Sequence, residues 1–343
     1  MGMVRFGIIG CGAIHHIHLE AIRSAGGVIS ACCDSDEEKA RKTARSEGCS
    51  YYTDYKMLIA DQTVDVVVIL TPHYLHKEMS LAALNGHKHV LCEKPMATTV
   101  AEAEEILAAA AKTYKYYHVC YQNRFNPSFL AMEQLISQDL GELEGVKAEV
   151  SWNREAAYYA DSSWKGTWEK EGGGVLINQA IHTIDAVCHF AGVPKKIKGK
   201  IMTSFLEGLI EVEDAAIGTG LINEETKFVL YASNNYAKDS SPRITFDYTA
   251  GQAVLTNEAL WFNNCALPLE HFERSTVAKE YWGNGHLAVY QALMLRLEGI
   301  ENHLTKLLAI TDAFDSLQVV CGLYESNKKN EWVELRAPIE YER

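Results

Sequence analysis

The chain has 343 residues, 45 acidic and 32 basic, for a formal net charge of −13. Apolar residues make up 48% and are spread too evenly for disorder, and the length suits two cores or one large one. Net acidity opposes a broad electrostatic grip on nucleic acid or on an anionic membrane surface, which excludes both partner classes at the outset.

The first apolar run, Val4–Ile9, predicts a short strand that stops in Gly10-Cys11-Gly12. Ile14, Ile17, Leu19 and Ile22 then follow in a helical pattern, and a second strand, Val28–Cys33, ends at Asp34. Val64–Leu70 is almost continuously apolar, as a parallel strand covered on both faces should be. It ends at Thr71-Pro72, and Met79, Ala83 and Leu84 suggest the next helix. His89–Cys92 predicts a strand, Thr99-x-x-Glu102 a capping box opening an Ala-rich helix to Lys112, and Tyr116–Tyr121 another strand. Short strands alternating with helices indicate βαβ units and a parallel sheet.

Beyond residue 122 the rhythm changes. Leu143–Trp152, Ile197–Phe205, Ala215–Ile222, Lys227–Ser233, Ile244–Tyr248 and Gln252–Thr256 are strand-like, several joined by short turns. Helical patterns at Gly174–Phe190 and His286–Ser326 flank them. The expected fold class is α/β: a Rossmann dinucleotide-binding domain over 1–122, then an α+β domain over 123–343 built on a large, mostly antiparallel sheet.

Gly10 and Gly12 fall between strand and helix, where a tight turn lets backbone N–H groups and a helix N-terminus face a pyrophosphate. Ala13 and Ile14 continue that turn. Asp34, 22 residues beyond Gly12, is placed to accept hydrogen bonds from an adenosine ribose and to repel a 2′-phosphate, which favours NAD over NADP. The third small residue of the fingerprint is replaced by His15. His15, His16 and His18 lack a carboxylate or cysteine partner at helical spacing, so no metal is expected; His18 is assigned to the cofactor's vicinity or to the strand ends.

Glu93-Lys94-Pro95 closes the fourth strand, where Lys94 would project toward a bound dinucleotide and polarise a carbinol oxygen. Later, Gly172-Gly173-Gly174 leads into a helix on which Asn178, His182, Asp185 and His189 fall within about 60° of one another at about 100° per residue. Ile177, Ile181, Ile184 and Cys188 form a separate apolar stripe. With an unperturbed pKa of about 6.5, His182 suits a general base, and Asp185 would orient its ring. A structural His–Asp pair remains the alternative.

Gly10-x-Gly12, Asp34, Thr71-Pro72-x-x-x-His76, Glu93-Lys94-Pro95 and Gly172–Asp185 together resemble the glucose–fructose oxidoreductase, inositol dehydrogenase and rhizopine catabolism (Gfo/Idh/MocA) family. Tyr281-Trp282-Gly283-x-Gly285-His286 and Tyr324-Glu325-Ser326 extend the likeness toward the end. The resemblance implies NAD(P)-dependent oxidation or reduction of a hydroxyl on a sugar, cyclitol or related molecule. It also implies that Lys94 and His182 are catalytic, that Thr71, Pro72 and His76 line the nicotinamide side, and that subunits pair as a homodimer or homotetramer. Many members carry Asp where this chain has Asn178, which casts Asn178 as a hydrogen-bond partner of a substrate hydroxyl.

Trp152, Tyr158, Tyr159, Trp164 and Trp168 crowd one segment, suited to stacking on a sugar ring or to an interface. Arg124 and Arg154 are candidates for reading a carboxylate or phosphate on the substrate. Three other readings stay open: an NAD-using glycoside hydrolase, a non-catalytic NAD-sensing regulator, and an NADPH-dependent carbonyl reductase, the last disfavoured by Asp34.

Nine cysteines, with no Cys-x-x-Cys pair, read as small buried hydrophobes of a reducing compartment. No window approaches the ~20 apolar residues of a membrane helix. Three glycines within Phe6–Ile14 argue against a signal peptide, and Phe6 replaces the Ser or Thr that a myristoylation start at Met1-Gly2 wants. The expected location is cytoplasmic.

Overall fold

The computed structural model describes residues 3–160, 162–269 and 285–337. They divide into two compact units. The first holds the chain up to Ala97, Ala101–Phe125 and the segment from Gly285 to Ile310; the second holds Thr98–Val100, the described part of 126–283, and Thr311 onward.

In the first unit strands and helices alternate: β1 (Arg5–Ile9), α1 (His15–Ser24), β2 (Val28–Cys33), α2 (Glu37–Glu47), β3 (Ser50–Tyr52), α3 (Tyr55–Ala60), β4 (Val66–Ile69), α4 (His76–Asn85), β5 (His89–Glu93), α5 (Val100–Ala111) and β6 (Tyr117–Cys120). The sheet runs β3-β2-β1-β4-β5-β6, parallel throughout. Every residue of β4 and β6 is buried, which is why these strands read as apolar runs without alternation. Phe6, Ile8 and Ile69 are each fully covered, and burial of such side chains stabilises by about 1.5–3 kcal/mol apiece. The strand order reverses beside β1, and the carboxyl ends of β1, β2, β4 and β5 deliver Gly10, Asp34, Thr71 and Lys94 to one edge.

The second unit contains α6 (Pro127–Ile136), β7 (Leu143–Ser151), α7 (Ala156–Ala160), α8 (Ile181–Ala191), β8 (Lys196–Met202), β9 (Ala215–Leu221), β10 (Lys227–Ser233), β11 (Arg243–Tyr248), β12 (Gly251–Thr256), β13 (Leu260–Phe262) and β14 (Cys265–Ala266). After α9 (Gly285–Leu297) and α10 (His303–Lys306) come α11 (Ile310–Lys329) and β15 (Val333–Glu334). The sheet order is β14-β13-β12-β11-β7-β10-β9-β8-β15, antiparallel except where β10 runs beside β7. Phe190 of α8 meets Phe246 of β11 edge to face, with centroids 5.9 Å apart, and covers one face of this sheet. On the other face Met202, Ile217, Val229 and Tyr231 are exposed, and Ile217 stands directly opposite Tyr231.

Three expectations change. A single boundary near 122 omits the return of 285–310 to the first unit, a long-range packing that chain order does not reveal. Gly285 shows its cause, since a Cβ there would lie 1.7 Å from the Gln122 carbonyl oxygen. The helix expected over 286–326 is three helices, because Gly299 turns left-handed (φ 75°) and Asn302 caps α10. The segment 303–329 is long and apolar enough to cross a membrane by composition, but 72% of its most apolar 18-residue window is buried in the protein, as in a core helix. Residues 281–284 of the late motif lie outside the described residues, as do Met1 and Gly2.

Candidate active site

In the first unit the turn after β1 is built around Gly10. Its φ is +101°, and a Cβ would stand 2.7 Å from the Leu70 carbonyl oxygen. Gly12 has nothing within 4 Å of the corresponding point, which leaves room for close approach of a ligand to the backbone. Ala13 is exposed and Ile14 is the N-cap of α1, with no side chain capping the first N–H groups. Helix-end donors and open space fit the pyrophosphate of a dinucleotide. His15 is accommodated because its ring folds back, placing Nδ1 2.5 Å from the Gly12 carbonyl oxygen.

Asp34 locks this turn to the end of β2. Its Oδ2 accepts from the Cys11 N–H at 2.8 Å and its Oδ1 from the Asp36 N–H at 2.9 Å. Each carboxylate oxygen retains a second lone pair suited to a ribose hydroxyl. Thr71 and Pro72 are half-buried after β4, where Pro72 starts a short 3-10 turn.

His76 has a different place from the one expected. It is fully buried, with Nδ1 2.7 Å from the Pro95 oxygen and Nε2 2.8 Å from the Thr71 oxygen. Burial pushes the His76 ring below the ordinary imidazole range against the raising effect of both carbonyls, and the single N–H of the neutral ring donates to one of them. It clamps the Thr71 turn to the segment after β5 and does not line an open surface.

Glu93 likewise faces inward. Its Oε1 lies 3.1 Å from Nε2 of the fully buried His18, whose Nδ1 is 2.7 Å from the Tyr290 hydroxyl. Burial opposes its ionisation, but the His18 hydrogen bond and the charges of His18 and Lys94 outweigh that and hold the carboxyl well below the usual range. Lys94 follows at the strand end, half-buried, joined to Pro95 by a cis peptide bond. His18 thus packs against the end of β5, directly behind Lys94.

Among the described residues, ligand atoms of His18, Glu93, Cys120 and His286 lie within 4.8 Å of one another. Burial pushes the Cys120 thiol far up and lowers His286 to about 3. A metal there would have to ionise that thiol and break the His18–Glu93 hydrogen bond, so the group is read as a polar network behind Lys94. His286 is reached from the sequence only through the resemblance motif.

Arg124 is 1% exposed, donates to the Leu307 carbonyl at 2.9 Å, and stacks 5.1 Å over the Tyr121 ring. That makes it a buried strut of the first unit and corrects its assignment to substrate.

In the second unit the glycine run forms a close-packed entry to the site helix. A Cβ at Gly173 would meet the Tyr324 hydroxyl at 2.0 Å, and one at Gly174 the Glu213 carbonyl at 1.9 Å. Glu213, 1% exposed, accepts from the N–H groups of Gly174 (2.9 Å) and Leu176 (3.0 Å) and from the Tyr324 hydroxyl (2.9 Å). Burial raises its pKa to about 7 against the lowering effect of those donors.

Leu176–Ala180 is a π-helical turn, and α8 follows from Ile181. A π turn is a frequent device at functional sites and shifts the facing of residues ahead of it. The apolar stripe Ile177, Ile181, Ile184 and Cys188 is buried, while Asn178, His182 and His189 are half-buried. Asp185 is 2% exposed, one turn from His182. His189 is held by Glu133 at 2.9 Å and Asp312 at 3.4 Å, so it leaves the polar stripe for a structural role.

Arg154 donates to Asp239 at 2.9 and 3.2 Å and lies over the Trp152 and Tyr158 rings. A substrate carboxylate would have to compete with Asp239 for it. Trp164 is half-buried beside Lys165, whose ammonium sits 3.7 Å from the Tyr158 centroid.

The oxidoreductase family model described as an NAD-binding Rossmann fold, Gfo/Idh/MocA, matches residues 4–121, and that family's C-terminal domain model matches residues 129–254. The chain belongs to the Gfo/Idh/MocA family. D-glucoside 3-dehydrogenase of Escherichia coli K12 is 27% identical over 97% of each chain. The NADP(+)-dependent scyllo-inositol 2-dehydrogenase IolW of Bacillus subtilis is 34% identical over 41% of this chain and 39% of its own. The chain spans only about half the length of several curated relatives it matches. Among solved structures, the WlbA dehydrogenase of Chromobacterium violaceum in complex with NADH and UDP-GlcNAcA has a TM-score of 0.85 at 25% identity, covering 99% of this chain and 97% of that one. A levoglucosan dehydrogenase complex, at 20% identity and TM-score 0.83 over 96% and 99% of the two chains, shares the fold.

Two functional candidates in this Gfo/Idh/MocA member escape sequence reasoning. Glu171, 1% exposed, binds Asn178, and Gln179 joins Asn234 and Tyr158. Glu171 has one available signal: an acid standing immediately before the glycine run.

Proposed function

We propose that the chain is an NAD-dependent dehydrogenase that oxidises a secondary hydroxyl of a sugar, cyclitol or related polyol. The observation that carries this is Lys94 at the carboxyl end of β5, half-buried and backed by the His18–Glu93 network, in the Rossmann unit that holds Gly10, Gly12 and Asp34. Lys94 donates a hydrogen bond to the carbinol oxygen, and His182 removes its proton. Asp185 stabilises the charged ring, and Asn178 binds a neighbouring hydroxyl. Bound nicotinamide supplies the hydride acceptor. Asp34 selects NAD, since a 2′-phosphate beside it would meet like charge. The likeness to D-glucoside and inositol dehydrogenases supports the substrate class.

The exposed Met202, Ile217, Val229 and Tyr231 on one face of the second sheet support a homodimer or homotetramer joined there. The free thiols support a cytoplasmic location.

The test is NADH formation over a panel of polyols, aldoses, glycosides and sugar nucleotides, with Lys94→Ala as control. Reduction of NAD by at least one polyol, lost in the variant, is expected. NAD binding without reduction by any compound would overturn it. Cleavage of a nitrophenyl glycoside without net NADH would then identify a hydrolase.

A further inference from the structure

Glu171 is buried, yet both of its oxygens meet N–H donors. Oε2 accepts from the Gly166 backbone at 2.5 Å and Oε1 from Nδ2 of Asn178 at 2.6 Å. An amide offers donors on one side and an acceptor on the other, and a carboxylate oxygen at this distance admits only the NH2 group. The Asn178 amide is therefore oriented by its neighbour, with Oδ1 on the side away from Glu171. Asn178 is half-buried, one turn before His182.

We infer that Glu171 is a positioning residue that turns the Asn178 amide so that an acceptor, and not a donor, meets the substrate, selecting a hydroxyl or ammonium hydrogen at that point. This rests on the proposed function and sharpens its substrate: the group read by Asn178 must carry a proton. It also accounts for Asn at 178. An Asp there would set two carboxyls 2.6 Å apart, and one would have to hold a proton. The pair carries a single carboxylate, at 171.

The test is a cycle of Glu171→Gln, Asn178→Asp and the double variant. The Gly166 N–H is a fixed donor, so the glutamine introduced by Glu171→Gln gives it the carbonyl oxygen and turns its own NH2 toward position 178. Asn178 must then flip and present NH2 to the substrate. Glu171→Gln is expected to raise KM for the best polyol by about 10-fold or more, with KM for NAD unchanged. Asn178→Asp alone should lower Tm and activity by opposing two carboxyls. In the double variant the introduced glutamine NH2 donates to the introduced carboxylate, whose other oxygen again faces the substrate, and KM should return to within about threefold of wild type.

An unchanged KM in Glu171→Gln, or a double variant no better than Asn178→Asp, would overturn the inference. Melting of the four proteins needs no substrate and separates the two claims. If the wild type oxidises no polyol, the proposed function fails; non-additive Tm shifts would still uphold the pairing, and additive shifts would overturn it.

Discussion

Replacing Glu213 by Gln tests how the glycine run is held. The carboxyl is buried, and its pKa is raised to about 7 from 4.5, with burial as the largest cause. A carboxyl raised on folding binds a proton that the unfolded chain has already released, so its contribution to stability is largest below pH 4.5 and declines as pH rises toward 7. At about 1.36 kcal/mol per pKa unit, the decline between pH 5 and pH 8 is about 2–3 kcal/mol. Glu213→Gln removes that titration. It also costs about 1–3 kcal/mol at every pH, because the amide NH2 opposes the N–H of Gly174 or Leu176. Urea unfolding of both proteins at pH 5 and pH 8 isolates the effect, since other titrating groups cancel in the comparison. The wild type should lose about 2–3 kcal/mol more than the variant over this range. Equal losses would mean that the three donors, and not burial, govern the carboxyl, and the account of this loop would be wrong.

Asp34→Ala should weaken NAD by about 10-fold or more while changing NADP less, measured by titration of intrinsic fluorescence; equal losses would remove Asp34 from the ribose. Lys94→Ala should lower kcat by about 10²–10⁴ with NAD affinity within about threefold of wild type, separating chemistry from binding in steady-state kinetics. Gly285→Ala places a methyl 1.7 Å from the Gln122 oxygen and should lower Tm by several degrees, read by differential scanning calorimetry. An unchanged Tm would show that α9 shifts freely.

Local order is the readable part of this fold. β1 and β4 stand out in the sequence because both faces of each strand are covered, and Gly10 and Asp34 because each ends a strand. α2 is hidden from an apolar pattern, since only Ala40, Thr43 and Ala44 are buried on it; its signals are the Asp36 cap and the left-handed Gly48. On the site helix the apolar stripe is legible, but the π turn at Leu176–Ala180 is invisible to a 3.6-residue period. Roles set by distant partners are least legible. Nothing near Arg124 in sequence names Leu307, nothing near His76 names Pro95, and only the fold pairs Glu171 with Asn178.

The return of 285–310 bears on how this protein can be cut and recombined. A fragment ending at residue 122 would keep every candidate cofactor residue yet lack Tyr290 and His286, leaving His18 and Glu93 without their cover. Such a fragment should be insoluble or molten, whereas a fusion of 1–125 to 285–310 through a short linker restores the missing helix. Exchange of cofactor halves between homologues therefore demands three junctions, near 125, 285 and 310, and a single junction would separate α9 from the turn it was shaped to meet.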